Sequence, residues 1–143
     1  MSFKLKLEFG GLQYNVLNFE YNILQATDAT GRPSSIVRGG KITVSVESTG
    51  NTDLFAATAD SFSRGDGKII FLKRDSDATL KELVFEDAYI VEYTESFSGG
   101  GVTGTSKFDS ASDQNPTIET VTFSAKKMGF KEDFVINEWP EAL

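Results

Sequence analysis

The chain has 143 residues with no cysteine and no histidine, which excludes disulfides, thiolate nucleophiles and cysteine-ligated zinc and removes the commonest general acid, base and metal ligand. Its 21 acidic and 14 basic residues give a net charge of −7, and because an acidic chain repels a phosphate backbone, nucleic acid is not an expected partner. The length suits a chain that buries a sizeable core without metal or disulfide, and we predict a single domain over residues 1–143.

The first two strands are indicated by a period of two. Apolar residues alternate with polar ones from Phe3 to Phe9, as in a strand with one solvated face. Gly10-Gly11 then predicts a two-residue hairpin turn. In the next strand the apolar phase changes at Leu17-Asn18, which predicts a β-bulge where the strand bends.

Nothing in the sequence indicates targeting to a membrane. The alternating N-terminal segment lacks the continuous apolar core of a signal peptide. No run approaches the ~20 consecutive apolar residues of a membrane-spanning helix. We therefore expect a cytoplasmic chain that does not insert into a membrane.

The connection from Thr27 to Gly40, called the arm below, is far longer than the roughly 2–5 residues that most hairpin loops use. Gly31 and Pro33 favour defined turns, so the arm does not have the composition of a disordered segment. Ile36 and Val37 supply apolar anchors, and two arginines supply charge, as in a surface that docks on a partner. From these residues alone, an arm folded back on its own domain is an open alternative.

After a third alternating strand from Lys41 to Glu47, the pattern changes to the period of a helix. One helical stripe gathers Leu54, Phe55, Thr58, Ala59 and Phe62. Asn51 or Thr52 can cap this helix, and Asp53 suits its N-terminal dipole. We predict one helix of roughly three turns, with Leu54, Phe55 and Phe62 assigned to helix packing or to a subunit interface.

The second half of the chain contains further strands. Lys68–Lys73 is apolar on both faces, so we expect it to be covered on both sides, with the helix on one of them. Leu80–Phe97 predicts a long strand or pair of strands, and five apolar residues are predicted to share one of its faces: Leu83, Phe85, Tyr89, Val91 and Tyr93. Ser98–Pro116 has the composition of a loop. A final regular strand around Phe123 precedes an apolar tail that we expect to pack on the fold.

Together these elements predict a mainly β fold, an antiparallel β-barrel or closed sandwich with one short flanking α-helix and a long extended loop. Gly99–Gly104 matches the G-x-G-x-x-G pattern, but no helix follows it as a dinucleotide site requires. Glu86 and Asp87 cannot converge for acid–base chemistry, because adjacent residues of a strand point to opposite faces. We predict no catalytic residues, no cofactor and no metal site.

Ten short motifs extend over nearly the whole chain. In order they are Tyr14-Asn-Val-Leu, Asp28-Ala-Thr-Gly-Arg-Pro-Ser-Ser, Val37-Arg-Gly-Gly, Val46-Glu-Ser-Thr-Gly, Phe71-Leu-Lys-Arg-Asp-Ser-Asp-Ala, Lys81-Glu-Leu, Asp87-Ala-Tyr, Val91-Glu-Tyr, Ser124-Ala-Lys-Lys and Asn137-Glu-Trp. Together they resemble the Hcp tube proteins of type VI secretion systems, and the similarity is closest to the Bacteroidetes branch of that family.

The resemblance implies a β-barrel with a flanking helix that assembles into hexameric rings, which stack into a hollow tube related to phage tail tubes. It also implies partners: further copies of the chain, the contractile sheath, the spike, the baseplate and small effectors carried in the lumen. The expected location is the cytoplasm, followed by secretion through the system.

The arm corresponds by this resemblance to the family's extended loop, which reaches the neighbouring ring. The candidate contacts carried over are Asp28, Arg32, Ile36, Val37 and Arg38. The sequence departs from the family pattern at Ser98–Ser112, where the glycine-rich segment is longer. The alternative hypothesis from another class is a monomeric ligand- or cargo-binding β-barrel, since a barrel interior can hold one small ligand.

Overall fold

Seven strands and one helix make up the part of the chain that the computed structural model describes, which is residues 3–39, 41–97, 117–137 and 139. In chain order the elements are β1 (Phe3–Phe9), β2 (Leu12–Tyr21), β3 (Lys41–Glu47), α1 (Asp53–Ala59), β4 (Gly65–Lys73), β5 (Thr79–Ser96), β6 (Ile118–Phe130) and β7 (Asp133–Ile136). The glycine-rich segment Ser98–Ser112 and the G-x-G-x-x-G match at Gly99–Gly104 lie outside the described residues.

The strands close into a barrel. Their order is β3-β2-β1-β4-β5-β6, and β3 pairs with β6 to complete the circle. Every pairing is antiparallel. The short β7 adds to the last residues of β6, from Lys127 to Phe130, just beyond the point where β3 begins. The predicted antiparallel β-barrel with one short helix is therefore confirmed.

Alternating side chains of the strands fill the barrel interior. Phe85 and Phe123 are fully buried, and their ring centroids lie 4.8 Å apart. Phe9 contacts the second of these rings at 5.0 Å. The other large side chains that are fully buried in the core are Tyr14, Leu7, Ile42, Leu54, Ile69, Leu83, Val44, Val46 and Val121. Burial of this apolar surface is the main force that stabilises the closed sheet.

The β1–β2 turn and the bulge in β2 were both predicted and are confirmed. Gly10 and Gly11 connect the strands with φ angles of 64° and 85°, in the left-handed region that glycine adopts at little cost. The register between β2 and β3 shifts between Val16 and Asn18. This shift turns β2 away from β1, to which it is paired as far as Asn15, and towards β3.

The predicted apolar face of β5 is correct at Leu83, Phe85 and Tyr93 but wrong at Tyr89 and Val91. Asp87 has a φ of 53°, and its N–H donates to the Asp66 carboxylate at 2.9 Å, so β5 bulges against β4. The bulge shifts the strand by one residue, and such a shift exchanges the two faces. Ala88 is consequently buried in place of Tyr89.

A second register shift, between Ile90 and Glu92, exchanges the faces again. Val91 still lies on the outer face that the first bulge gave it and is 52% exposed, although it was predicted to share the apolar face. Tyr93 returns to the core side.

The helix is shorter than predicted and covers a different strand. It has 7 residues, and its only buried residue is Leu54. It packs on β5, whereas the sequence predicted that it would cover β4. The outer apolar face of β4 is instead flanked in register by the long side chains of Lys6 and Glu82, on either side of Ile70.

Candidate functional site

The arm is a hairpin held together by its own backbone hydrogen bonds. The N–H groups of Leu24 and Arg38 each donate to the other residue's carbonyl, at 2.8 and 2.7 Å. Farther out, the N–H of Ser34 donates to the carbonyl of Ala26 at 2.8 Å. The arm is therefore an ordered projection, as its turn residues predicted. Gly40 lies outside the described residues.

The tip of the arm is organised by one carboxylate. The N–H of Gly31, whose φ is 90°, donates to the carbonyl of Asp28 and closes a four-residue turn. The Asp28 side chain accepts hydrogen bonds from the backbone N–H groups of Thr30 and Arg32 and from the Thr30 hydroxyl. The guanidinium of Arg32 lies 3.7 Å from the same carboxylate. Two predicted site residues, Asp28 and Arg32, thus meet at the tip.

These hydrogen bonds predict a lowered pKa for the Asp28 carboxyl. The Thr30 hydroxyl, followed by the N–H groups of Arg32 and Thr30, holds the pKa of Asp28 below its ordinary value of 3.8. Since the folded pKa is depressed, the ordered tip is favoured above pH 3.8 and loses this support as the pH falls through the lowered pKa. The carboxyl carbon-13 shift of Asp28 should therefore have its midpoint below 3.8.

Thr30→Ala should move that midpoint up towards 3.8, because it removes the largest cause of the shift. Thr27→Ala is the matched control, since Thr27 pairs with Pro33 through the backbone and should leave the midpoint unchanged. A wild-type midpoint at or above 3.8 would contradict this description of the tip.

The apolar side chains of the arm face solvent. Ile36 is 54% exposed and Val37 is 37% exposed, and Leu24, which pairs with Arg38 just before the arm begins, is 59% exposed. None of the three is among the residues that form the core or pack against it. In the part of the chain that the structure describes, the arm therefore does not fold back to bury these side chains on its own barrel.

The base of the arm is fixed by a residue that sequence reasoning missed. The side-chain amide of Asn137 donates to the carbonyls of Gly39 and Ala125, at 2.8 and 3.0 Å. Its backbone N–H donates to the carbonyl of Lys126 at 2.8 Å. Asn137 thus joins the returning end of the arm to β6. No local pattern signals this contact, because Asn137 and Gly39 are 98 positions apart in the chain.

The three predicted residues around α1 have different environments. Leu54 is fully buried and anchors the helix on the barrel. Phe55 is 59% exposed and contacts the ring of Tyr93 edge-on at 5.9 Å. Phe62 is not part of the helix, has a φ of 70° and is 76% exposed. Only Leu54 thus packs α1 on the barrel core, while the side chains of Phe55 and Phe62 are both exposed at the surface.

Polar groups lie inside the barrel beneath α1. Glu119 is only 3% exposed, and it points inward like Val121 and Phe123. The alternation along β6 could have indicated this burial from the sequence. Burial, and then the neighbouring carboxylates of Glu119 and Glu95, raise the pKa of Tyr93 to about 12. Tyr93 therefore stays protonated at neutral pH.

The arm and α1 lie at opposite ends of the barrel. β3 begins at Lys41, where the arm returns, and ends at Glu47, from which the chain continues into α1. Seven strand residues separate the two by about 20 Å. A single chain therefore does not bring the two groups of predicted site residues together.

The described residues contain no group of three or more acidic side chains arranged to hold a metal ion. Among the same residues, no helix is long and apolar enough to cross a membrane.

Comparisons with known proteins agree with the sequence resemblance. The family model described as "Hemolysin coregulated protein Hcp (TssD)" matches residues 1–140. Among solved structures, Hcp1 from Flavobacterium johnsoniae is 43% identical, with a TM-score of 0.79 over 94% of this chain and 99% of that chain. No curated protein sequence matches.

More distant structures share the fold alone. Hcp1 from Salmonella typhimurium is 17% identical, with a TM-score of 0.61 over 90% of this chain and 85% of that one. Hcp1 from E. coli of the EAEC 042 pathovar is 12% identical, with a TM-score of 0.65 over 97% of this chain and 99% of that one. With a family model that matches almost the whole chain, this protein belongs to the Hcp (TssD) family, the tube-subunit family of type VI secretion systems.

Proposed function

We propose that this chain closes into hexameric rings that stack into a hollow tube, and that the arm docks each ring on the next. The observation that carries the proposal is the arm itself, an ordered hairpin whose apolar side chains are exposed. A projection that keeps Leu24, Ile36 and Val37 in water gains stability when a partner covers them.

The order of the arm also favours docking. Because backbone bonds and the Asp28 side chain already fix its shape, little conformational entropy remains to be lost on binding. Arg32 and Arg38 add side chains that pair well with carboxylates.

The proposed ring closes by heterologous contacts, in which one surface of a subunit meets a different surface of its neighbour. The partners proposed from the family are the sheath, the spike, the baseplate and effectors carried in the lumen. The role is structural and not catalytic, and the protein acts in the cytoplasm before it is secreted through the system.

The alternative of a monomeric ligand-binding barrel has weak support. A barrel can hold a small ligand only where its interior is open. Here the interior is occupied by large buried side chains such as Phe85, Phe123 and Tyr14. The filled core favours a structural subunit over a ligand-binding protein.

Electron microscopy of the purified chain, with native mass spectrometry, tests the proposal. Annular particles with the mass of six chains should predominate, with stacked rings at high protein concentration. A single monomeric species under every solution condition tried would refute the proposal and favour the monomeric ligand-binding barrel.

A further inference from the structure

The helix α1 is too short to be stable on its own. Its 7 residues fall below the roughly 12–15 that an isolated helix needs in water. The Thr52 side chain makes no capping hydrogen bond, and the last turn contains no basic residue. Among the described residues, the backbone hydrogen bonds of residues 49–62 stay within this segment and Ser63, so none joins it to a strand. The helix therefore depends on its side-chain contacts with the barrel.

The side-chain contacts that hold α1 on the barrel are few. Leu54 is the one buried side chain of the helix. Phe55 meets the ring of Tyr93 edge-on at 5.9 Å. Just before the helix, the Tyr14 hydroxyl donates to the side-chain carbonyl of Asn51 at 3.3 Å, which is longer than an ordinary O–H···O hydrogen bond. In the described part of the chain, one apolar anchor and two weaker contacts thus seat the helix.

The surface that α1 covers is partly polar. Glu119 and Tyr14 are 3% and 2% exposed, and the Tyr93 hydroxyl is hydrogen-bonded to the Glu119 carboxylate. Taking such groups out of water costs free energy, most of all for a carboxylate. When α1 moves away, water regains access to these groups, and this offsets part of the cost of exposing Leu54. Moving α1 away therefore costs less free energy than it would over an apolar surface.

Residues with a positive φ lie on both sides of α1. Gly50 precedes the helix with a φ of 90°, a conformation that glycine adopts at little cost. Phe62 follows the helix with a φ of 70°, which is unfavourable for a bulky side chain. The Phe62 side chain is 76% exposed, so packing compensates little of this strain. Rotation of the backbone at these two positions would lift α1 and would also relax Phe62.

We infer that α1 is a lid, which swings away from the barrel about Gly50 and Phe62 while the strands stay paired. The barrel does not need α1 for closure, because β3 pairs with β6 along its whole length, from Lys41 to Glu47. In the open state, water reaches Glu119 and the tyrosine hydroxyls beneath the lid. A partner that binds only one of the two states would shift the balance between them. The lid is a property of one chain, so it does not rest on the proposed ring.

Hydrogen exchange of the wild-type, full-length chain in low concentrations of urea, measured by mass spectrometry, tests the lid. The amides of α1 should exchange at least about 100-fold faster than those of β3, which become accessible only when the whole barrel unfolds. Local opening exposes little surface, so exchange in α1 should be nearly independent of urea, whereas exchange in β3 should rise with it. Equal rates with equal urea dependence would overturn the inference.

A single thiol gives a second measurement, since the protein has no cysteine. Leu54→Cys places the thiol beneath the lid and Val44→Cys places it in the barrel core, and both positions are fully buried in the wild type. The first thiol should react with an aromatic disulfide reagent at a rate that low urea does not change. The second should react only as the barrel unfolds. The same urea dependence for both thiols would mean that α1 leaves only with the whole fold, against the inference.

The hinge is tested by adding Phe62→Asn to the Leu54→Cys variant. Asparagine tolerates a positive φ better than phenylalanine does, so the closed lid gains stability and the thiol should react about five-fold more slowly. Lys131→Asn is the matched control, because Lys131 has a φ of 54° in the β6–β7 turn, away from α1, and its replacement should leave the rate unchanged. A rate that Phe62→Asn does not lower, or that Lys131→Asn lowers equally, would refute the hinge at Phe62 and with it the lid as proposed.

Discussion

A chain that lacks Ser35–Arg38 should still form rings but should no longer stack them into tubes. The deletion removes the exposed apolar pair Ile36 and Val37 and one arginine of the arm. The hydrogen bonds that it breaks join Ser35 and Arg38 to Leu24, Gln25 and Ala26, which lie outside the barrel strands. Fully burying a side chain such as Ile36 or Val37 contributes about 1.5–3 kcal/mol. Because every subunit of a ring loses both apolar side chains, we expect stacked rings to become undetectable by electron microscopy.

The measurement is tube length by electron microscopy, together with secretion of the protein from cells. A control with four serines in place of Ser35–Arg38 keeps the length of the arm and should fail in the same way, because the side chains are absent there too. Secretion and tube length that match the wild type in both variants would show that the arm has no docking role.

Phe123→Ala should be among the most destabilising single substitutions in the barrel. The ring is fully buried and contacts those of Phe85 and Phe9 at 4.8 and 5.0 Å. Truncation of a buried phenylalanine costs about 3–5 kcal/mol through lost transfer energy and the cavity left behind. Against a typical total of about 5–15 kcal/mol, this loss leaves little stability.

Urea unfolding followed by fluorescence of Trp139, which packs on Tyr89 at 5.4 Å, measures the effect. Phe55→Ala makes the same chemical change at a site that is 59% exposed, and it should cost about 1 kcal/mol or less. Equal losses for the two variants would mean that the barrel interior does not dominate the stability.

The sequence predicted those features whose causes are local. Alternation from Phe3 to Phe9 defines β1, and Gly10-Gly11 defines the turn that follows, because both depend on residues in direct succession. The bulge in β2 was also visible as a change of phase at Leu17-Asn18. These signals were sufficient for the fold class.

Features that depend on distant residues were not predictable. The bulge in β5 needs the Asp66 carboxylate from β4 to hold the N–H of Asp87, and no pattern within β5 reveals that partner. The helix was overestimated because Phe62 continues the apolar spacing, although its backbone is left-handed.

For the candidate site, the ordered arm followed from the sequence, and its five candidate contact residues remain a prediction from the family resemblance. What could not be foreseen is the separation of those residues from Phe55 and Phe62. It arises from the path of β3 between the two ends.

The triple attachment of Asn137 has a mechanical consequence for the arm. A pull on the arm reaches Gly39, whose carbonyl accepts a hydrogen bond from the Asn137 side-chain amide. Asn137 in turn is held on β6, where the same amide donates to the carbonyl of Ala125 and its backbone N–H donates to the carbonyl of Lys126. β6 is the most extensively paired strand of the barrel, bonded to β3, β5 and β7. In the proposed tube, a load on the arm would therefore be distributed over the hydrogen bonds that β6 makes with its three partner strands, rather than carried by a single contact.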